Sequence, residues 1–236
     1  MNLLIDLHMH THASAHAYSS VFEYIMEAKR KNMLAIAITD HGPALDDSPH
    51  KWHFLNLNAI PERVDGIRII KGIEANIYKD GSIDCDNLMS EKVDFVMAGF
   101  HDAVHPPCSD VTKNTDCLIN NPSVKIIAHP GNPKFPVDYR AIATEAARKN
   151  VALEINSGSA VARKGSSANC RKMIEEVKSA NGYISVGSDA HYCSQMGHFD
   201  HALKLLEAQQ FPEEKIINSS LMLTSSFLEI KEVLHW

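Results

Sequence analysis

The sequence predicts an α/β protein, one domain over residues 1–236 built on a seven-stranded (β/α)7 barrel. Two patterns carry that expectation. Seven short apolar runs rich in Val and Ile recur along the chain, and stretches with helical spacing separate several of them. Near-continuous apolar runs suit strands covered on both faces, and strands alternating with helices imply parallel pairing through right-handed crossovers. The second pattern is chemical: every run ends in Asp, Glu, His or Asn.

The first run, Leu3–Leu7, passes into Asp6-Leu7-His8-Met9-His10. Ser20-Val21-Phe22-Glu23 then has the form of a capping box, with Ile25, Met26 and Ala28 following at helical spacing. The second run, Leu34–Thr39, ends in Thr39-Asp40-His41, and the long His- and Pro-bearing stretch after Asp40 reads as loop. The third, Ile67–Ile73, ends in Gly72-Ile73-Glu74, and the fourth, Asp94–Phe100, in Gly99-Phe100-His101. A weaker helix candidate surrounds Leu118. The fifth run, Val124–Ala128, reaches Ala128-His129-Pro130, and Asp138 is placed to cap a helix through Asn150. The sixth, Val151–Ile155, closes on Glu154-Ile155-Asn156, and a helix from Ser167 through Asn181 follows. The seventh, Tyr183–Val186, leads into Gly187-Ser188-Asp189-Ala190-His191, ahead of a helix over Gln195–Gln210 that Phe211-Pro212 ends. No linker or composition break divides the chain.

Seven parallel strands fit an open doubly wound sheet or a closed barrel. In either, the carboxyl ends share one face, but only a barrel gathers them around a point. Seven polar strand ends out of seven therefore favour the barrel.

Bulk properties narrow the chemistry by exclusion. A net charge of −6 gives no global support for nucleic-acid or membrane binding. No apolar run approaches the roughly 18 residues of a membrane helix. The first residues meet Asp6 and His8 before a secretory core forms. Five scattered cysteines without a CxxC pair suit reduced thiols, so a cytoplasmic location is expected. Histidine is the anomaly, with fourteen copies in short clusters.

His8 and His10 are two apart, so on a strand their imidazoles share a side. Imidazole with carboxylate is a donor set for Zn²⁺, Mn²⁺ or Fe²⁺. Nine candidates stand at strand ends or just beyond: His8, His10, His16, His41, Glu74, His101, His129, Asp189 and His191. That is too many for one tetrahedral ion and suits two or three, with a carboxylate such as Glu74 bridging. Lys134, Arg163 and Lys164 follow strand ends and are candidate phosphate contacts, solvated surface being the equal alternative. His50, His53, His105, His198, His201 and His235 read as ordinary polar residues, and His12 as a ligand, a supporting group or surface. Asp40 either touches metal or orients His41 or a loop amide, while Asp6 and Asn156 read as supports.

Asp6-Leu7-His8-Met9-His10-Thr11, Thr39-Asp40-His41-Gly42, Gly72-Ile73-Glu74-Ala75-Asn76, Gly99-Phe100-His101, His129-Pro130-Gly131-Asn132-Pro133 and Gly187-Ser188-Asp189-Ala190-His191 together resemble the ordered motifs of the PHP (polymerase and histidinol phosphatase) family of phosphoesterases. His16-Ala17-Tyr18-Ser19 and Arg163-Lys164-Gly165-Ser166 are similar to stretches of its short stand-alone bacterial phosphatases of the YcdX type. The resemblance implies a distorted, TIM-like seven-stranded barrel with three zinc ions. One ion would be held by His8, His10, Glu74 and Asp189, a second by Glu74, His101 and His129, and a third by His16, His41 and His191. His12 lies outside the pattern.

The expected activity is hydrolysis of a small phosphomonoester by attack of a metal-bound hydroxide. A phosphodiesterase or exonuclease of the same family is the alternative, disfavoured by the acidic balance and by the lack of a basic, aromatic-laced groove. A catalytically silent module is disfavoured by the full ligand set, and a deaminase or amidohydrolase would show different ligands. The native metal, the substrate and the oligomeric state, homo-oligomers included, stay open.

Overall fold

A computed structural model describes residues 1–230; His235 lies outside the described residues. Seven parallel strands wind into a nearly closed barrel in the order β1 (Ile5–Asp6), β2 (Ala35–Ile38), β4 (Ile67–Asn76), β5 (Phe95–Gly99), β6 (Val124–Ile127), β7 (Ala152–Asn156) and β8 (Tyr183–Gly187). A short β3 (Arg63–Val64) pairs antiparallel with the start of β4. It was not expected, although Asp65-Gly66, at φ 51° and 85°, is a hairpin turn with a sequence signature.

Side-chain alternation divides the core into two layers. Ile36 and Ile38 pack outward with Tyr24, Ile25, Ala28 and the helices, whereas Ala35 and Ala37 pack inward with Leu7, Ile70, Met97 and Ala152. Phe227 and Leu228 of the helix over Leu221–Leu228 belong to the inner layer, beneath the polar strand ends. Inward positions along β4 and β7 run from apolar residues (Ile70, Ala152) to acids (Glu74, Glu154), which carries chemistry from the core to the mouth.

The helices are α1 (Val21–Arg30), α2 (Trp52–Leu55), α3 (Asn87–Ser90), α4 (Val111–Ile119), α5 (Tyr139–Lys149), α6 (Ser159–Ala162), α7 (Ser166–Ser179), α8 (Asp200–Ala208) and α9 (Leu221–Leu228). Ser20 and Glu23 form the predicted capping box on α1, worth about 1 kcal/mol. Asp138 accepts from the Ala141 N–H to cap α5, which ends at Asn150 in the left-handed conformation. α7 starts at Ser166 instead of Ser167, after Gly165 at φ 98°. α8 is shorter than Gln195–Gln210 because Gly197, at φ 73°, takes a turn no helix contains. The stretch after Asp40 is mostly loop but contains α2.

No regular ladder joins β8 to β1, and the seam closes by other means. Met9 and Ala190 form one parallel bridge. The Asn218 side chain donates to the carbonyls of Ile5 and Val186, both at 2.9 Å, and accepts from the Val186 N–H at 3.0 Å. Asp6 accepts from the backbone N–H groups of His8, Ser188 and Gly197, so this buried acid is a strut of the seam.

Candidate metal centre

The nine predicted residues, set on six of the seven parallel strand ends and the loop after β1, meet at the barrel mouth. Glu74 is fully buried at their centre, and its two oxygens face different partners. Oε1 lies 2.8 Å from His129 Nε2 and 3.3 Å from His101 Nε2. Oε2 lies 3.4 Å from the Nε2 atoms of both His8 and His10, and 2.9 Å from His41 Nδ1. Asp189 Oδ1 joins that second group, 3.2 Å from His10 Nε2 and 3.5 Å from His8 Nε2. Farther out, His16 Nε2 and His41 Nε2 approach to 3.2 Å, and the His191 ring lies 4.9 Å from that of His16. His16 is held by Asp47 at 2.6 Å and His191 by the Asp189 carbonyl at 2.9 Å.

Whether these residues suit metal is decided by their unmet valences. His10 Nδ1, His41 Nδ1, Glu74 Oε2 and both ring nitrogens of His101 are buried without an aligned hydrogen-bond partner. Such orphans are costly unless something else satisfies them. His41 Nδ1 and Glu74 Oε2 are in close contact yet misaligned for a hydrogen bond, so neither satisfies the other. Three groups of facing atoms are close enough to share a cation: His10-His41-His191, His8-His10-Glu74 and His41-Glu74-His101. The donor set fits borderline divalent ions.

Protonation of two of the rings agrees with that fit, whereas at His8 burial is outweighed by the Glu154, Glu74 and Asp189 carboxylates, which raise its pKa well above the usual histidine range. Burial, reinforced by the neighbouring His41, pushes His10 down to about 3, and burial with Arg163 pushes His129 down to about 4. Both imidazoles are therefore neutral near pH 7, the state that coordinates metal. Burial alone would raise Glu74 and Asp189, but the surrounding histidines outweigh it and hold both carboxyls well below their usual range.

The mouth opens into a cleft of about 570 Å³ lined by His16, His41, His101, Arg163, Asp189 and His191 among others. Arg163 donates from Nη1 to Asp189 Oδ2 at 3.1 Å and to Ser159 Oγ at 2.9 Å. The other two predicted phosphate contacts are not brought to it: Lys134 pairs with Asp102 on the surface, and Lys164 is exposed and outside the lining. His12 is exposed as well. Asp40 resolves as an organiser, accepting from Thr11, Ser14 and His53. His53, read from sequence as an ordinary polar residue, is thus tied to the site's support. Asp47 and the pairing of Glu154 with His8 had no local sequence signal; both are partners supplied by distant segments.

The sequence model of the PHP domain matches residues 6–220. This chain belongs to the PHP family. The PHP chain is 49% identical over 230 residues to a probable phosphatase of Yersinia enterocolitica, covering 95% of this chain and 94% of that one. It is 48% identical over 229 residues to the probable phosphatase YcdX of Escherichia coli, with the same coverage. Its fold matches the histidinol phosphate phosphatase of Lactococcus lactis, solved with zinc, L-histidinol and phosphate, at a TM-score of 0.63 and 17% identity over 90% of this chain and 95% of that one. The structure of a candidate histidinol phosphatase from Listeria monocytogenes matches at 0.65 and 14% identity, over 82% of this chain and 97% of that one. The barrel expected from the strand ends is the PHP barrel, and the reading of this PHP chain as an enzyme of the phosphatase class stands with its relatives.

Proposed function

We propose that this chain hydrolyses small phosphomonoesters at the barrel mouth with three bound metal ions, zinc or alternatively Mn²⁺ or Fe²⁺. The ligand sets would be His8, His10, Glu74 and Asp189; Glu74, His101 and His129; and His16, His41 and His191. The split of Glu74 carries the reading, one oxygen toward His101 and His129 and the other toward His8 and His10. A carboxylate so divided suits a bridge between two ions. The bound ions would supply a water acidified enough to act as nucleophile near neutral pH, and positive charge opposite the phosphoryl oxygens.

The rest of the chemistry belongs to the chain. Burial keeps the His10 and His129 imidazoles neutral, and the buried walls strengthen every electrostatic contact made there. Arg163 uses Nη1 on Asp189 and Ser159, so its guanidinium is fixed at the cleft, where its remaining N–H groups suit a phosphoryl oxygen. The cleft volume suits a small ester such as a phosphorylated alcohol or sugar.

The test pairs metal content per chain by plasma mass spectrometry with turnover of p-nitrophenyl phosphate and of a 3′-labelled oligonucleotide. Two to three ions per chain, with chelator-sensitive activity on the monoester alone, is the expected result. Folded protein that stays inert after metal addition would overturn the proposal, and faster cleavage of the oligonucleotide would replace it with the nuclease alternative.

A further inference from the structure

We infer that Glu154 is a positioning residue that sets two groups of the basin at once, the His8 ring and the His129 backbone, and thereby governs two of the three ion positions while leaving the third untouched. The inference rests on the ligand sets proposed above, in which Glu154 has no part.

Glu154 lies on β7, one inward step beyond Ala152, and is 1% exposed. Its Oε1 accepts from His8 Nδ1 at 2.7 Å. Its Oε2 accepts from the His129 backbone N–H at 2.8 Å and from Asn156 Nδ2 at 3.2 Å. An imidazole whose Nδ1–H is given to a carboxylate presents its Nε2 lone pair on the opposite side, and for His8 that side faces Glu74, His10 and Asp189. His129 has φ 35°, a conformation that non-glycine residues keep only when their surroundings hold it. The bond to Oε2 is one such hold, and it aims the His129 ring at Glu74 Oε1.

Asn156 carries the same support one step further. Its Nδ2 donates both to Glu154 and to Asp189 Oδ2, at 3.1 Å in the second case. Gly187 provides the space. A Cβ there would lie 2.1 Å from Glu154 Oε1 and 2.7 Å from His8 Cβ, so only glycine lets the carboxylate rest against the ring. Among the described residues no hydrogen bond joins Glu154 to His16, His41 or His191, the third ligand set.

A carboxylate can accept on both oxygens, whereas glutamine of the same shape has one acceptor and one donor. Glu154→Gln can therefore satisfy His8 or His129, not both. The experiment is zinc titration of the metal-stripped full chain against a chromophoric chelator, with near-UV circular dichroism to establish folding. Wild type should bind three ions tightly. Glu154→Gln should keep one of them at wild-type affinity and bind the other two roughly 10- to 100-fold more weakly, the usual effect of losing a ligand's hydrogen-bond partner. Gly187→Ala should weaken the same two by displacing the carboxylate.

Uniform weakening of all ions, or wild-type binding by the folded Glu154→Gln variant, overturns the inference alone. Wild type that takes up no metal overturns the ligand reading and the inference with it. Should Glu154→Gln not fold, the cobalt(II)-loaded wild type decides by proton NMR. A slowly exchanging, hyperfine-shifted ring N–H from His8 supports the assignment, and rapid exchange of that proton refutes it.

Discussion

Asp40 is fully buried at the end of β2 and accepts four hydrogen bonds: from the Thr11 N–H and Oγ1 at 2.8 Å each, from Ser14 Oγ at 2.9 Å and from His53 Nε2 at 3.0 Å. Burial raises its pKa, yet His53 and the other donors outweigh that effect and leave it below the usual carboxylate range. Replacing it with alanine strands the buried Thr11 N–H, at a cost of about 1–3 kcal/mol, and removes two hydroxyl bonds worth roughly 1 kcal/mol each. His53 is a quarter exposed and can turn to water. The sum is about 3–5 kcal/mol, or a fall in Tm of roughly 6–20 °C for a chain of this size. Asparagine keeps an acceptor for Thr11 and Ser14 and should cost only about 1 kcal/mol. Urea unfolding followed by circular dichroism measures both. Asp40→Ala costing under about 1 kcal/mol, or Asp40→Asn costing as much as alanine, would refute the account of Asp40 as the knot that fixes the loop from Thr11 to His16.

Three further outcomes are expected. Stripping metal with a chelator should abolish turnover and lower Tm, since ligands bound only by the native state add about 4 kcal/mol at a thousandfold excess over Kd; an unchanged melting curve would argue against bound ions. Arg163→Ala should reduce kcat/KM for a phosphomonoester by roughly tenfold to a hundredfold, the worth of one charge-assisted hydrogen bond, and unaltered kinetics would remove Arg163 from the phosphate site. Burial pushes the Cys85 and Cys170 thiols up to about 12, so at pH 8 both should resist iodoacetamide while the half-buried Cys108 and Cys193 react. The sign follows for stability. Unfolded thiols ionise near 8.5, so the contribution of these two is complete below that pH and declines as pH rises towards 12.

The barrel and its nine polar side chains were legible because both follow from local pattern. Val- and Ile-rich runs mark buried parallel strands, and the first polar residue after each run marks the carboxyl end. What escaped depends on contacts between distant segments. Asp47 against His16, His53 against Asp40 and Glu154 against His8 span 31, 13 and 146 residues, and no spacing encodes them. Lys134 shows the converse: it follows a strand end, as a phosphate contact would, yet Asp102 across the loop claims its ammonium. The β3 hairpin was readable from Asp65-Gly66, but two residues of strand make too short a run to stand out. Gly197 interrupts what otherwise reads as one helical stretch.

The seam between β1 and β8 also bears on how the protein comes into being. Residues 5–10 meet residues 186–190 there, so the two walls of the histidine basin are made far apart in synthesis. A ribosome-bound chain lacking Asp189, His191 and Asn218 has neither the second wall nor the amide that draws β1 to β8. Its early histidines wait in an incomplete cup. The basin is thus assembled only once residues through Asn218 are made, and a shorter nascent fragment has no means of building it ahead of time.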